Sequence, residues 1–268
     1  FPSTMVDRIT PETTRDDIDR IAARTGKPGG APVLHEPFAQ WAIEDDFVNG
    51  ARPDLGAAGA EMVADVGAHE QMKLRMLNGT HSALAYTGYL AGHETIAATV
   101  ADPVFAAYVR RLWAEIMPAV TPPKGVDLTS YADALFDRYE NHAIKHRTRQ
   151  NEMDGSQKLP QRLLGTIADN IAAGRPIEAL SLGVAAWMRY VNGVDEDGHP
   201  IDVRDPLAAH LFETTAAQGS VAVKVAALLA IDEVFPPALA SLLRVPVTQA
   251  ATRLWSVGAH NSIAKDTP

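Results

Sequence analysis

The chain contains no cysteine. That removes disulfides, a thiol nucleophile and cysteine-based metal sites together, and nothing marks an oxidising compartment, so the cytoplasm is the default location. A surplus of positive charge is also missing. Lysine and arginine number 24 against 33 aspartates and glutamates, a formal charge of -9. The basic residues are scattered rather than gathered on one face, which argues against a general nucleic-acid binder. Long apolar runs are absent as well. The most apolar tract, VAVKVAALLAIDEVF, is interrupted by Lys224 and closed by Asp232 and Glu233, so it falls short of the roughly 18 uninterrupted apolar residues of a membrane span. No targeting segment is visible, and without one the NGT at Asn78 is not a meaningful glycosylation acceptor.

One further absence bears on chemistry. No strand, glycine-rich turn and helix with GxGxxG spacing can be read anywhere, so a complete dinucleotide-binding domain is not encoded in these 268 residues. Nucleophile elbows of the GxSxG type and phosphate loops are not recognisable either. What is present is an ordinary globular composition, 46% hydrophobic and 21% charged, enough to build one large core or two modest ones.

Short alternating stretches, VDRIT and FAQWAIED, read as strands, with TTRDDIDRIAARTG between them as an amphipathic helix ending at Gly26. From Ala58 the spacing turns helical through AEMVADVGAHEQMKLRML, HSALAYTGYLAG, DPVFAAYVRRLWAEIM and SYADALFDRYENHAIKHRT. Further helices follow in PQRLLGTIADNIAAG, PIEALSLGVAAWMRYVNG, AAHLFETTAAQ, VAVKVAALLAI and ALASLLRV. Pro160 and Pro176 suit first-turn positions, and Gly174 and Gly193 suit helix ends. NGVDEDGHPIDVRDP reads as a surface loop or small hairpin. The fold expected is mainly α with a short α/β edge at its start.

Chemistry concentrates in AHEQMKLRMLNGTHSALAYTGYLAG, which carries Glu70, Lys73, Asn78 and His81. On an unbroken helix, at about 100° per residue, Glu70 lies near 60° from Lys73, His81 near 80° and Asn78 near 140°. Asn78-Gly79 is a poor helix interior and is expected to separate two helices, placing the Asn78 amide at a helix end. A lysine whose ammonium is disfavoured by burial can take a proton from an alcohol, and an amide can hold the resulting oxyanion. The same spacing also suits a solvated i, i+3 pair, a turn at Asn-Gly and a structural histidine. Lys158, after Asp154-Gly155-Ser156 and before a helix expected from Pro160, is a second candidate, for a polyol hydroxyl or carboxylate, or a plain loop lysine. His142 and His146 are four apart and would share a helix face, but the glutamate of HExxH is absent and no metal site is assigned.

Taken together, FPSTMVDRITP, QWAIEDDFVNGARP, KLRMLNGTHSALAYTGYLAG, DGSQKLPQRLL and GVAAWMRYVNG resemble the mannitol dehydrogenase family of metal-independent polyol dehydrogenases and hexuronate (fructuronate) reductases, over nearly the whole chain. The resemblance implies that residues 1–268 form the helical carboxy-terminal domain, of the 6-phosphogluconate dehydrogenase C-terminal-like type. An amino-terminal Rossmann domain outside this chain would hold most of the NAD or NADP. The opening FPSTMVDRITP then reads as a seam between the two domains.

By the resemblance, Lys73 is general base or acid, Asn78 an oxyanion-stabilising amide, His81 a substrate-hydroxyl contact and Glu70 a proton relay to solvent. Lys158 matches a substrate-binding lysine. Asp7 and Arg8 fall where the first domain meets the cofactor cleft, as cofactor contacts or as domain packing. Some relatives carry an arginine where this chain has Gln150, and the second asparagine of the family's oxyanion site belongs to the missing domain. The expected reaction is metal-independent hydride transfer between a mannitol-like polyol and its ketose, with a fructuronate-type hexuronate substrate as the alternative. An isolated helical domain without activity of its own is the third reading.

Overall fold

The computed structural model describes residues 1–216 and 219–265. The chain opens with strand β1 (Thr4–Asp7) and helix α1 (Arg15–Thr25), followed by β2 (Gln40–Glu44) and β3 (Glu61–Val63). Strand order is β1-β2-β3, antiparallel between β1 and β2 (Val6 opposite Trp41) and parallel between β2 and β3 (Ala42 opposite Glu61). Helix α1 is bounded by chemistry written in its sequence. Thr14 and Asp17 form a reciprocal capping box, and Gly26 takes the left-handed conformation at the far end with φ 67°. Met5, Ala42 and Val66 make a small core under the sheet.

The helical body begins later than the spacing suggests. A 3₁₀ turn at Gly56–Ala58 and β3 come first, and the first helix of the body, α2, is Gly67–Met72. It does not stop at Asn78-Gly79. The chain continues through a π-helical turn, Lys73–Gly79, directly into α3 (Thr80–Leu90). Then come α4 (Ile96–Ala101), α5 (Pro103–Ile116) and α6 (Leu128–Tyr139). Helix α6 ends at Tyr139, so NHAIKHR is not helical and His142 and His146 share no helix face: His142 is exposed and His146 is turned inward. The premise of a histidine pair on one helix therefore fails.

After α7 (Thr148–Glu152), a second interrupted helix runs from α8 (Gly155–Leu159) through another π turn (Pro160–Leu164) into α9 (Gly165–Ala172). It starts at Gly155 rather than Pro160. The proline sits inside the helix, where the π turn absorbs the hydrogen bond its ring nitrogen cannot donate. Helix α10 (Glu178–Tyr190) follows, with Pro176 just outside it, and Gly174 and Gly193 close α9 and α10 at positive φ. NGVDEDGHPIDVRDP is held as a hairpin by a Val194–Pro200 bridge.

The last helices are α11 (Ala208–Ala216), α12 (Val221–Leu229) and α13 (Pro237–Ala264), the last running through Pro246 and far beyond ALASLLRV. The end of the expected helix AAHLFETTAAQ, Ala217 and Gln218, lies outside the described residues. Helices α3 and α10 are buried on nearly every side and pack on one another, and Trp113 and Trp187 fill the core around them. A helix buried all round cannot carry a polar face, which is why α3 and α10 are rich in alanine, glycine and leucine. Among the described residues no helix is long and apolar enough to cross a membrane.

Candidate functional site

Lys73 is the first residue of the π turn, half-buried, and its Nζ donates to the main-chain carbonyl of Val6 on β1. Asn78 stands five residues on. At the α-helical pitch it would point about 140° away from Lys73, but an i→i+5 turn holds more residues per revolution and swings it back toward the lysine's face. His81, three residues further and now on α3, shares Asn78's side. Glu70, exposed on α2 one turn before Lys73, completes the row at the solvent end.

The turn is paid for by its neighbours. A π turn leaves carbonyls poorly served within the helix, and here Tyr139 Oη donates to Leu77 O at 3.1 Å while Trp113 Nε1 reaches Met76 O at 3.4 Å. Gly79 is the contact point with the second interrupted helix: a Cβ there would sit 2.6 Å from the carbonyl oxygen of Arg162. Two helices, each with a π turn, thus cross at backbone distance.

His81 is buried, its ring 4.7 Å from Tyr139 and 4.8 Å, edge-on, from His146. Burial, reinforced by His146, Arg162 and Arg138, holds its imidazole well below the usual histidine range, so it is neutral. The same cause, burial, takes His146 down to about 4 although Asn151 hydrogen-bonds its ring. On this side His81 faces a void of only about 10 Å³ shared with Arg138, Asn141 and His146, too small for a substrate.

Lys158 lies on the second interrupted helix, half-buried and 3.8 Å from Asp154. Its ammonium is disfavoured by burial and then by Arg162, one turn further along. Arg162 Nη1 donates to Ser82 Oγ at 3.0 Å, next to His81 in the chain. Arg162 therefore links Lys158 to the His81 end of the row. The start of α8 is fixed from outside by Asp205, which accepts from Ser156 N at 2.8 Å and also from Ser156 Oγ and Leu207 N.

Asp7 and Arg8 occupy different positions from one another. The Asp7 side chain is fully buried, with both oxygens on Arg138 at 2.8 and 3.1 Å. Arg8 is exposed and its Nε donates to Phe38 O at 3.0 Å. Gln150 accepts from Glu12 N at 3.3 Å and so is tied to the chain ahead of α1. Arg162 was findable in sequence as a second cation four residues after Lys158. Tyr139, Arg138 and Asp205 had no local signal, because each acts across a large chain separation.

Among the described residues the turn from β3 into α2 carries a single glycine, Gly67, and the positive-φ glycines sit at helix ends, in turns and loops and, at Gly258, inside α13. The donor set of Lys73, Asn78, His81 and Lys158 suits a hydroxylated substrate.

The family model for the mannitol dehydrogenase C-terminal domain matches residues 65–255, and that for the mannitol dehydrogenase Rossmann domain matches residues 1–56. D-mannonate oxidoreductase of Escherichia coli is 47% identical over 98% of this chain and 54% of its own length. Mannitol 2-dehydrogenase of Pyrenophora tritici-repentis is 39% identical over 83% of this chain and 40% of its own. The structure of Pseudomonas fluorescens mannitol 2-dehydrogenase, a ternary complex with NAD and D-mannitol, superposes with a TM-score of 0.90 at 36% identity, covering 99% of this chain and 54% of that one. The chain thus spans about half the length of the relatives it matches. It belongs to the mannitol dehydrogenase family.

Proposed function

We propose that this chain is the substrate-binding and proton-handling half of an NAD-dependent oxidoreductase that interconverts a secondary alcohol and a ketone on an open-chain sugar derivative. What supports the reading is the Lys73 amine held on the Val6 carbonyl at the head of a π turn, whose wider pitch turns the Asn78 position toward the same face. The nicotinamide, when bound by the rest of the protein, supplies the hydride acceptor. Lys73 takes the hydroxyl proton as the alcohol is oxidised and returns it when the ketone is reduced. Glu70, exposed one turn earlier, passes that proton to water. The Asn78 amide donates to the substrate oxygen as charge develops on it. His81, neutral by burial, meets a neighbouring hydroxyl, and Lys158 orients the far end of the substrate.

Mannitol and fructose are the first substrate pair. A hexonate and its keto acid are the second, favoured by a specific observation: Lys158 and Arg162 put two cations one turn apart on one helix, suited to a carboxylate. The test is turnover of D-mannitol and D-mannonate with NAD by the full-length protein, with and without Lys73→Ala. Loss of all activity in the variant is expected. Near-parental kcat in Lys73→Ala would remove the lysine from the mechanism, and turnover of mannonate alone would select the sugar acid.

A further inference from the structure

Lys73 is aimed by a main-chain carbonyl, and a carbonyl is only as well placed as the strand that bears it. That strand, β1, has four residues and lies at the edge of the sheet. A short strand paired on one side is a poor fixed point by itself. Its anchor is a buried ion cluster on α6. Arg138 Nη1 and Nη2 reach Asp7 at 3.1 and 2.8 Å, and Nε and Nη2 reach Glu36 at 2.9 and 2.7 Å. Glu36 in turn accepts the main-chain N–H of Ile9 at 2.6 Å. Tyr131 Oη stands 3.4 Å from Asp7, and the Phe38 ring lies 4.1 Å from the guanidinium carbon.

One guanidinium therefore ties down the residue after Val6 and, through Glu36, Ile9 beyond it. The next residue on α6 is Tyr139, whose hydroxyl holds the Leu77 carbonyl of the π turn. Both partners of the Lys73–Val6 contact are thus referenced to adjacent positions on one helix. Only a planar fork with several donors can bridge two carboxylates in this way; an ammonium is a point charge on a flexible stem.

We propose that Arg138 is a positioning residue for proton transfer: by clamping Asp7 and Glu36 it sets the Val6 carbonyl that aims the Lys73 amine. The proposal rests on the reading of Lys73 as the proton-transfer group. It goes beyond that reading in assigning a role to a residue that touches neither substrate nor cofactor.

The test is Arg138→Lys in the full-length enzyme, which keeps the charge and loses the fork. Expected are a kcat about tenfold lower or worse, as for a displaced catalytic group, a KM for the alcohol within about twofold of the parent, and a displaced pH–kcat profile. A merely structural role would lower the melting temperature and leave the pH profile of the folded enzyme where it was. Parental kcat with a superimposable profile overturns the proposal while leaving the Lys73 reading intact, since that reading fails only if Lys73→Ala still turns over. Should Arg138→Lys not fold, Glu36→Gln, which keeps Asp7 paired and loosens the clamp, is measured in the same way. A displaced profile supports the clamp and an unchanged one refutes it.

Discussion

Gly79→Ala should damage the site from a position that carries no functional group. The added methyl would lie 2.6 Å from the Arg162 carbonyl oxygen and 3.6 Å from both the Arg162 carbonyl carbon and Leu163 Cδ2. The first contact is roughly 1 Å inside the optimal separation, and its partner is backbone, so the helices themselves must part. Overpacking of this kind costs ~1–3 kcal/mol, and more where backbone has to move. Alanine returns ~1 kcal/mol of helix propensity over glycine. The net expectation is a loss of ~2 kcal/mol, or roughly 4–8 °C in melting temperature for a domain of this size.

Function should suffer more than stability in that variant, because Asn78 and His81 stand on one side of the crossing and Lys158 and Arg162 on the other. Gly165→Ala is the control. It lies on the second helix, and its nearest atoms would be 3.8 Å and 3.9 Å away, so the propensity gain should show as a slightly higher melting temperature. Differential scanning calorimetry and steady-state kinetics on both variants decide the matter. If Gly79→Ala melts at or above the parent with unchanged KM, the close crossing is not what aligns the two halves of the site.

Two other perturbations follow from the same geometry. Glu152 is buried and its carboxyl is pushed up to about 8, with burial the main cause. Its folded value exceeds the unfolded one, so the unfolded chain releases the proton first and stability falls as pH rises from about 4.5 to 8. Glu152→Gln should therefore flatten that limb of a pH–melting curve and melt above the parent at pH 8. An unchanged curve would mean that the carboxylate is not buried in solution. Asp205→Ala frees the Ser156 N–H and hydroxyl at the start of α8, for a loss of about 1–3 kcal/mol. It should raise KM for the substrate more than it lowers kcat, because Lys158 sits within that first turn and Lys73 does not.

The elements legible in the sequence were those whose determinants are local. Helix α1 announced itself through its amphipathic spacing and Gly26, and β2 through alternation, whereas the strand read at VDRIT lies earlier, at Thr4–Asp7. Where sequence reasoning failed, a distant group overrode a local preference. Asn78-Gly79 reads as a stop because both residues are poor helix formers. The helix runs through them because Tyr139 and Trp113 serve the carbonyls that a π turn exposes, and because no residue other than glycine fits against Arg162 O. Pro160 misleads in the same way. Its first-turn preference is real in an isolated helix, but a π turn removes the need for the missing N–H, and α8 starts a full turn earlier.

The candidate site divides along the same line. Glu70, Lys73, Asn78 and His81 were visible as a row able to converge on one side, with Asn78 the outlier at about 140° from Lys73 on an ideal helix. The π turn, a backbone feature with no sequence signature of its own, has a wider pitch that narrows that angle. The cluster that aims Lys73 was out of reach for a different reason. Arg138 lies 131 residues from Asp7 and 102 from Glu36, and an arginine on an amphipathic helix looks the same whether it faces water or two buried carboxylates. The chemistry of a lysine is therefore written where the lysine is, whereas its direction is written in residues that only the fold brings to it.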